Sequence, residues 1–571
     1  MRIALAQINT TVGDIEANAS RALTAINRAT ALGASLVVLP EMTIPGYPAE
    51  DLLLRPDFAM ATKRALEGLA AEVTVGTALV GFVDWDRHCH NALAVVANGR
   101  VQAIYHKRFL PNYGVFDEAR YFRPGGAPLT IEVEGLRVGL TICEDIWYAT
   151  PVAAELASAD LDLICCVSAS PFHLGKADWR ERMLATRAAD SHAALAFCNL
   201  VGGQDELVFD GRSAVFDATG DLIARAAAFD EDLVLADLDL DFSARYRLRE
   251  PRARGMSTPA AAPLVQIEAS PPPAAPAAPQ LGHVAPTESL EAELWHGLRT
   301  GIHDYVGKNG FPRVFIGLSG GIDSALTAAL ATDALGADAV IGVAMPSRFS
   351  SPDSLADAQR LGENLGITVE VAPIDDVVTA FERTLAPIFG DLPRDVTEEN
   401  LQARARGTIL MGLSNKLGGL VLATGNKSEM SVGYSTLYGD MVGGFAPLRD
   451  VDKTWVYRLS RWRNASAART LIPEETIERP PTAELRPDQL DSDSLPPYPV
   501  LDRILEGYVA LDRDSTGIAS DDLPRELVDT VIAMVDRAEY KRRQGPVGIK
   551  VTPRALGRDR RMPITNRYRH G

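Results

Sequence analysis

The chain has 571 residues, more than one hydrophobic core can organise, so several domains are expected. Its 46% hydrophobic and 23% charged residues are those of an ordinary water-soluble globular protein. The net charge of -18 argues against bulk nucleic acid or an anionic membrane as partner, while a locally basic site still admits an anionic small substrate.

The opening MRIALAQINTTVGD lacks the pattern of a secretory signal, and no run approaches the roughly 20 apolar residues that span a bilayer. A cytoplasmic location is expected. Five cysteines, all in the first half, do not make a disulfide scaffold (Cys89, Cys143, Cys165, Cys166 and Cys198). Most are expected to be small buried hydrophobes, and the odd count leaves room for one working thiol.

The first half is rich in short apolar runs. RIALAQI and SLVVLP read as strands, each followed by a more helical stretch. NALAVVANGRVQAIY predicts a hairpin turning on Asn98-Gly99, a favoured type I′ pair. The same device is expected at Glu134-Gly135 and at Asp210-Gly211. LDLICCVS and AALAFCN look like buried strands, with helix over residues 179–190 between them. The sum is a layered α/β arrangement. Residues 270–279 read SPPPAAPAAP, and Pro and Ala stay common on either side. Such a stretch buries too little to fold, so residues 251–287 are expected to link a domain over 1–250 to one over 288–571.

In the second half strand and helix alternate: RVFIGLS, SALTAALATDAL, AVIGVAMP, SPDSLADAQRLGENLG, TVEVAPI. This predicts a doubly wound parallel sheet, with ligand at the carboxyl ends of its strands.

Three segments of the first half carry chemistry. LVVLPEM sets Glu41 just past a strand, IYHKRFLPNYGVFDE sets Lys107 just past another, and LRVGLTICEDIW sets Cys143 at the end of a third. Loops meet at strand ends, so the three groups can share a pocket. A thiol needs a base to become a nucleophile, and an ammonium stabilises both thiolate and oxyanion. Glu, Lys and Cys therefore suffice for amide hydrolysis without His.

The order LPE, YHKxxLPNYGVFDE, LTICED resembles the nitrilase superfamily of carbon–nitrogen hydrolases, and more narrowly the glutaminase domain of glutamine-dependent NAD synthetases. The resemblance implies an α-β-β-α sandwich, with Glu41 as general base, Lys107 stabilising the intermediate and Cys143 as nucleophile. It implies that Tyr113, Glu144, Ser170 and Lys176 hold glutamine. Glu118 reads either as a further carboxylate near the thiol or as a partner of Arg120 or Arg123.

FIGLSGGIDSAL runs a buried strand into Ser319-Gly320-Gly321-Ile322-Asp323-Ser324 and then a helix. Glycines let backbone N–H groups approach phosphate, and the helix N-terminus adds positive potential. No Gly-Lys-Ser/Thr follows, so this is not a Walker loop. The segment is similar to the pyrophosphate loop of ATP pyrophosphatases, which cleave ATP between its α and β phosphates. ENLQARARG, LATGNKSEMSVGYSTLYGDMVGGFAPLRDVDKTWVY, RPPTAELRPDQLD, LPPYPVLD and YKRRQGPVGIKV narrow the resemblance to NAD synthetases. It implies an adenine-nucleotide-hydrolase-like fold and ATP contacts from Gly317, Leu318, Ser319, Gly320, Gly321, Ile322, Asp323, Ser324, Arg406, Thr424 and Lys453. It implies Mg²⁺ on Asp323 and Glu429. Asn400, Glu429, Asp440 and Lys541 should lie in or near the site for deamido-NAD. Leu437 stands where some ammonia-dependent relatives carry Lys. The C-terminal arginines (Arg554, Arg558, Arg560, Arg561, Arg567, Arg569) read as a solvated or interface surface at this net charge.

The expected activity is ATP-dependent amidation of deamido-NAD with ammonia from glutamine, in a homo-oligomer (octamer or tetramer). The rivals are an amidotransferase for another activated acceptor, and an ammonia-dependent synthetase whose front domain only docks.

Overall fold

The computed structural model describes all residues except 158, 240–241, 251–262, 275–281, 488 and 569–571. The chain divides into two compact units, one over 1–204 and 208–287, the other over 205–207 and 288–571.

In the first unit β1 (Arg2–Gln7), α1 (Ile15–Ala31), β2 (Leu36–Val38) and α2 (Pro56–Glu72) lead into β3 (Thr77–Trp85), β4 (Cys89–Ala97) and β5 (Arg100–His106). Then come β6 (Thr130–Val133), β7 (Leu136–Ile142), α3 (Val152–Ala157), β8 (Leu163–Ser168), α4 (Lys176–Ser191) and β9 (Ala194–Asn199). The unit continues with β10 (Val201–Gln204), β11 (Leu207–Asp210), β12 (Ala214–Phe216), β13 (Leu222–Arg225), β14 (Asp232–Asp237), α5 (Phe242–Arg249) and β15 (Leu264–Gln266).

Among the described residues these strands form a six-stranded sheet, β14-β1-β2-β3-β4-β5, and a seven-stranded one, β13-β12-β9-β8-β7-β6-β15. Alternate side chains of β1, β2, β3 and β4 (Ile3, Leu36, Leu79, Leu93) meet Val138, Leu140, Leu163 and Cys165 of the other sheet in one core. The opposite face of the first sheet packs on Ala22 and Ile26 of α1 and Leu66 of α2. The second sheet packs outward on Leu184 and Ala188 of α4. This is the expected α-β-β-α sandwich. It forms because β1, β4, β8 and β9 are buried on both faces, as the apolar runs within them require.

The turns at Asn98-Gly99 and Glu134-Gly135 are as expected, with positive φ at all four residues (48°, 73°, 50° and 81°). The hairpin expected at Asp210-Gly211 is not formed. β11 pairs with β10, turning near Asp205 (φ 52°), whereas β12 pairs with β9 and β13. Asp210 is instead committed to a buried ion pair, accepting from Arg180 Nη1 and Nη2 at 3.0 and 2.7 Å. Gly211 lies so close to Gln7 that a Cβ would stand 2.3 Å from its side chain. A strongly turn-forming pair is used here to cross between sheets, because the partners that decide pairing are distant in sequence.

Part of the segment expected as a linker packs on the first unit. β15 extends the second sheet by pairing in parallel with β6, and Ser270 accepts from the Gly76 N–H at 2.9 Å. The rest of that segment, 251–262 and 275–281, lies outside the described residues.

The second unit opens with α6 (Leu290–Lys308), β16 (Val314–Leu318), α7 (Ile322–Leu335), β17 (Val340–Ala344), α8 (Pro352–Leu365), β18 (Thr368–Val371), α9 (Asp375–Phe389) and α10 (Val396–Leu417). There follow β19 (Leu420–Leu422), α11 (Lys427–Val432), β20 (Phe445–Ala446), α12 (Lys453–Ser466) and, beyond several short helices, β21 (Val547–Gly548). The sheet order among the described residues is β18-β17-β16-β19-β20-β21, all parallel. One face packs on Ile374, Val378, Ala405 and Leu410 from the α9–α10 side. Because β17 and β19 flank β16 on opposite sides, the chain winds away in two directions and leaves a crevice at the end of β16.

No helix among the described residues is long and apolar enough to cross a membrane.

Candidate active sites in the two units

In the first unit the three expected catalytic side chains converge at strand ends. Glu41 follows β2, Lys107 follows β5 and Cys143 follows β7. Lys107 Nζ donates to Glu41 Oε1 at 2.7 Å and to Glu118 Oε1 at 2.8 Å. Asn91 Nδ2 donates to the same Glu41 oxygen at 2.7 Å, and the Ala169 N–H donates to Oε2 at 2.8 Å. The carboxylate is thus oriented from three sides. Glu118 is bound to this lysine and to the Tyr47 hydroxyl, at 2.9 Å; Arg120 reaches Asp51 instead.

Cys143 has φ 42°, in the left-handed region that a side chain with Cβ disfavours. The strand turns sharply there into the short 3₁₀ segment Cys143–Ile146 and presents the thiol at the bend. Burial pushes the thiol well above its ordinary range, the Glu41 charge pushes it further, and Lys107 pulls it back. The resting sulfur therefore keeps its proton and needs a base to lose it. Burial alone would lower the Lys107 pKa, but Glu118 and Glu41 raise it well above the usual lysine range, so it stays a cation. The other four cysteines are buried, and burial pushes each thiol up, which fits inert packing.

The four residues expected to hold glutamine form two pairs. The Tyr113 hydroxyl donates to Glu144 Oε1 and Oε2 at 3.0 and 3.1 Å. Lys176 Nζ donates to Ser170 Oγ at 2.8 Å, and its charge is felt by Glu144. Sequence reading missed Asp145. It is fully buried and accepts from the Ile142, Arg108 and Phe109 N–H groups at 3.0, 3.0 and 2.9 Å and from the Tyr105 hydroxyl at 2.8 Å. One carboxylate thereby ties the lysine loop to the cysteine turn. Its signal was present: an acid two places after the cysteine, beside the Glu144 that was read as functional.

In the second unit the expected residues line a cleft of about 290 Å³ at the end of β16: Gly317 to Ser324, Arg406, Thr424, Glu429, Asp440 and Lys453. Gly320 has φ 78° and lies so close to Ser354 that only glycine fits. Ser324 Oγ donates to the Gly321 carbonyl at 2.9 Å, closing the loop on the start of α7.

Lys453 is the centre of charge. Its Nζ donates to Asp323 Oδ2 at 2.5 Å and to Glu429 Oε1 at 3.0 Å. Burial would lower its pKa, but the two carboxylates outweigh that and raise it. Asn426 links the two segments: Nδ2 donates to Asp323 Oδ1 at 2.8 Å, and Oδ1 caps α11 by accepting from the Glu429 N–H at 3.0 Å. Burial and Asp323 raise the Glu429 pKa against the pull of Lys453, so the cluster is short of positive charge. Two converging carboxylates facing a phosphate loop are a donor set that fits Mg²⁺, a hard ion that also takes phosphate oxygens.

Two expected residues do not line the cleft. Asn400 accepts from the Thr436 hydroxyl at 2.7 Å, and Lys541 Nζ donates to the Gly433 and Ser435 carbonyls at 2.8 and 2.7 Å. Both brace the 433–440 loop that carries Asp440. Leu437 packs against the apolar cluster around Leu501 and Val531. Of the C-terminal arginines, Arg560 is buried with its guanidinium 5.1 Å from the Tyr508 ring centre, and Arg554 pairs with Asp512; Arg569 lies outside the described residues. Arg479, Thr482, Glu484 and Asp491 line the cleft and were not singled out from sequence.

Asp452, at the start of α12, makes no side-chain cap bond. Burial pushes its carboxyl up to about 7; Lys427 pulls it down, and Asp502 and Asp450 push it up. The folded protein thus holds a proton that the unfolded chain releases near pH ~4. The stability this proton carries is fully present below pH ~4 and is lost as pH rises through about 7. Asp452→Asn is expected to gain on the order of 2 kcal/mol over the unmodified chain at pH 8 relative to pH 4. Urea unfolding at both pH values checks this, and an equal difference at both refutes it.

Two family descriptions match the chain: carbon–nitrogen hydrolase over residues 2–248 and NAD synthase over 294–545. The glutamine-dependent NAD(+) synthetase of Thermotoga maritima is 48% identical, with 100% of this chain and 99% of that protein covered. The chain belongs to the glutamine-dependent NAD(+) synthetases. The Aquifex aeolicus synthetase is 45% identical over 100% of both chains. A synthetase of this family from Acinetobacter baumannii, solved in complex with ADP, is 42% identical with a TM-score of 0.75, covering 99% of this chain and 98% of that one. In this family a carbon–nitrogen hydrolase unit and a ligase unit share one polypeptide, as the two sites described above do.

Proposed function

We propose that the chain makes NAD by ATP-dependent amidation of deamido-NAD, with ammonia released from glutamine in the first unit. The observation that carries this reading is the co-occurrence of a complete Glu41–Lys107–Cys143 set with the Ser319–Asp323–Lys453 cleft of a synthetase.

In the first unit Tyr113, Glu144, Ser170 and Lys176 bind glutamine: the ammonium of Lys176 and the hydroxyls take its α-carboxylate, and Glu144 takes its α-ammonium. Glu41 removes the thiol proton and Cys143 attacks the side-chain amide. Lys107 offsets the charge that develops on the carbonyl oxygen. The proton passes to the leaving nitrogen, ammonia departs, and water, activated by the same carboxylate, releases glutamate from the thioester.

In the second unit loop 319–324, Arg406, Thr424 and Lys453 bind ATP. The nicotinate carboxylate of deamido-NAD attacks the α phosphate and pyrophosphate leaves. Ammonia then displaces AMP from the adenylate, giving NAD. Adenylation is needed because a carboxylate is a poor electrophile. Asp323 and Glu429 would hold Mg²⁺, which when bound offsets the charge of the polyphosphate. Asp440, on the cleft wall, would contact deamido-NAD, with Asn400 and Lys541 holding its loop. Ammonia is mostly protonated in neutral water, so a shielded route within a homo-oligomer of four or eight chains fits the chemistry.

The test is NAD formation from deamido-NAD, Mg²⁺ and ATP with glutamine or ammonium as nitrogen source. NAD from both, with AMP and pyrophosphate, is expected. No NAD from either, in a protein that still hydrolyses glutamine, would move the reading to an amidotransferase for another acceptor.

A further inference from the structure

Strand β4 carries an amide on a face that is otherwise apolar. Its Leu93 and Val95 point into the core between the two sheets, while Ala92, Ala94 and Val96 face the helices. The period of two puts Asn91 on the inter-sheet face with Leu93 and Val95. Asn91 is buried there, and burying an amide is costly unless both of its polar groups are bonded. Only one is. Asn91 Nδ2 donates to Glu41 Oε1 at 2.7 Å, but among the described residues Oδ1 has no hydrogen-bond partner. Turning the amide over would set two oxygens against each other, so Glu41 fixes its orientation. The Asn91 main chain serves the same cluster, its carbonyl accepting from the Lys107 N–H at 2.9 Å. An apolar residue would fill this position without an unpaired acceptor; what the amide adds is one donor to the catalytic carboxylate.

That donor makes the two oxygens of Glu41 unequal. An ionised carboxylate oxygen offers two lone pairs to hydrogen bonds. Oε1 accepts from Lys107 Nζ and from Asn91 Nδ2, each at 2.7 Å, so both of its pairs are taken. Among the described residues Oε2 accepts from the Ala169 N–H alone, at 2.8 Å, and keeps one pair free. Ala169 follows β8 and Cys143 follows β7. These strands pair in parallel with Ile142 opposite Val167, so the oxygen with the free pair is turned to the strand end beside that of Cys143. We infer that Glu41 Oε2 is the atom that takes the Cys143 proton, and that Asn91 is a positioning residue which, with Lys107, fills Oε1 and keeps Oε2 facing the sulfur. This rests on the roles of Glu41 and Cys143 given above. As glutamine is attacked the S–H bond breaks, its electron pair forms the S–C bond, and the proton goes to Oε2. From there it passes to the departing nitrogen, which keeps the electron pair of the broken C–N bond. Lys107 does not define the base by itself, because its ammonium is shared between Glu41 and Glu118. Without Asn91 each oxygen of Glu41 has one donor, and nothing distinguishes the oxygen that must face the thiol.

The test is glutamine hydrolysis by the full chain, read as glutamate formed, with Asn91→Leu, which keeps the shape and removes the donor. Its kcat is expected to fall about thirtyfold and its KM for glutamine to stay within about twofold, since Tyr113, Glu144, Ser170 and Lys176 do not depend on Asn91. Alkylation of Cys143 by iodoacetamide, followed by mass spectrometry, is expected to slow about tenfold. That reaction forms an S–C bond and expels iodide; it needs the thiol proton removed, but neither the glutamine contacts nor hydrolysis of a thioester. Asn91→Asp keeps the size, turns the donor into an acid and is expected to lose at least as much; it decides where the leucine protein does not fold. Loss of packing alone would raise KM and lower ammonium-driven NAD formation, and both are expected to hold. A normal kcat or a normal alkylation rate in a folded variant, or a loss of kcat matched by an equal rise in KM, overturns the inference. Glu41→Gln separates it from the reading beneath it. If that protein hydrolyses glutamine at the normal rate, the base itself is misassigned; an inactive Glu41→Gln beside normal Asn91 variants removes only the role of Asn91.

Discussion

Alanine at position 143 is expected to lower glutamine-driven NAD formation about a thousandfold or more and to leave ammonium-driven formation within about twofold. The first loss follows from covalent catalysis. Cys143 is the thiol at the bend where the charges of both Glu41 and Lys107 reach it. The second expectation follows from chain geography: every group that lines the synthetase cleft belongs to residues 317–546, none of them to the first unit's hydrolase. The substitution itself is small: Ala removes one sulfur atom from a buried site, together with its contact to Ser168. Parallel assays with glutamine and with ammonium at saturating ATP read the split directly. Equal loss with both sources would mean that the first unit acts on the second by more than supplying ammonia. Normal glutamine use would remove Cys143 from the mechanism.

Lys453→Met is expected to have the opposite signature, a fall of about a hundredfold to a thousandfold with either nitrogen source while glutamine hydrolysis persists. The ammonium is bonded to the carboxylates of both Asp323 and Glu429, and Nζ lies 5.1 Å from the centre of the Tyr498 ring. Methionine keeps the stem's volume and removes the charge. Two carboxylates are then left facing each other beside the phosphate loop. They repel ATP, and breaking such a buried set costs about 3–5 kcal/mol of stability. Part of that cost is avoided by protonation, because burial already raises the Glu429 pKa. The stability loss is therefore expected to be larger at pH 8 than at pH 6, and added Mg²⁺ is expected to recover some of it. Steady-state assays with both nitrogen sources, with a thermal melt at each pH, provide the check. A variant that lost glutamine hydrolysis as well would point to global damage and not to the cleft.

Local chemistry was legible because its requirements are local. A nucleophile at a strand end, a glycine-rich turn between a buried strand and a helix, and type I′ pairs at two hairpins each depend on a few neighbouring residues. Charge partners were less legible. Asp145, Asn91 and Asn426 are ordinary polar residues in sequence, and only packing shows that they hold Lys107's loop, Glu41 and the Asp323–Glu429 pair. Asp210-Gly211 misled for the same reason: Arg180 and Gln7 claim those two residues from 30 and more positions away.

Read along the sequence were a two-part plan, a layered α/β first half and a doubly wound second half, with Glu41, Lys107 and Cys143 as a candidate catalytic set and 319–324 as a candidate phosphate loop; the α-β-β-α sandwich came from the family resemblance. Hydrophobic period, turn chemistry and reactive residue types are all written along the chain. Only the tertiary structure decided which acid faces which base, that part of the Pro/Ala-rich segment becomes the edge strand β15, that Asn400 and Lys541 brace a loop and do not line the cleft, and that Glu484 sits on the start of α8. Those outcomes depend on distances of a few ångströms between residues tens to hundreds of positions apart. Such distances are set by how sheets and helices pack, and no local pattern encodes them.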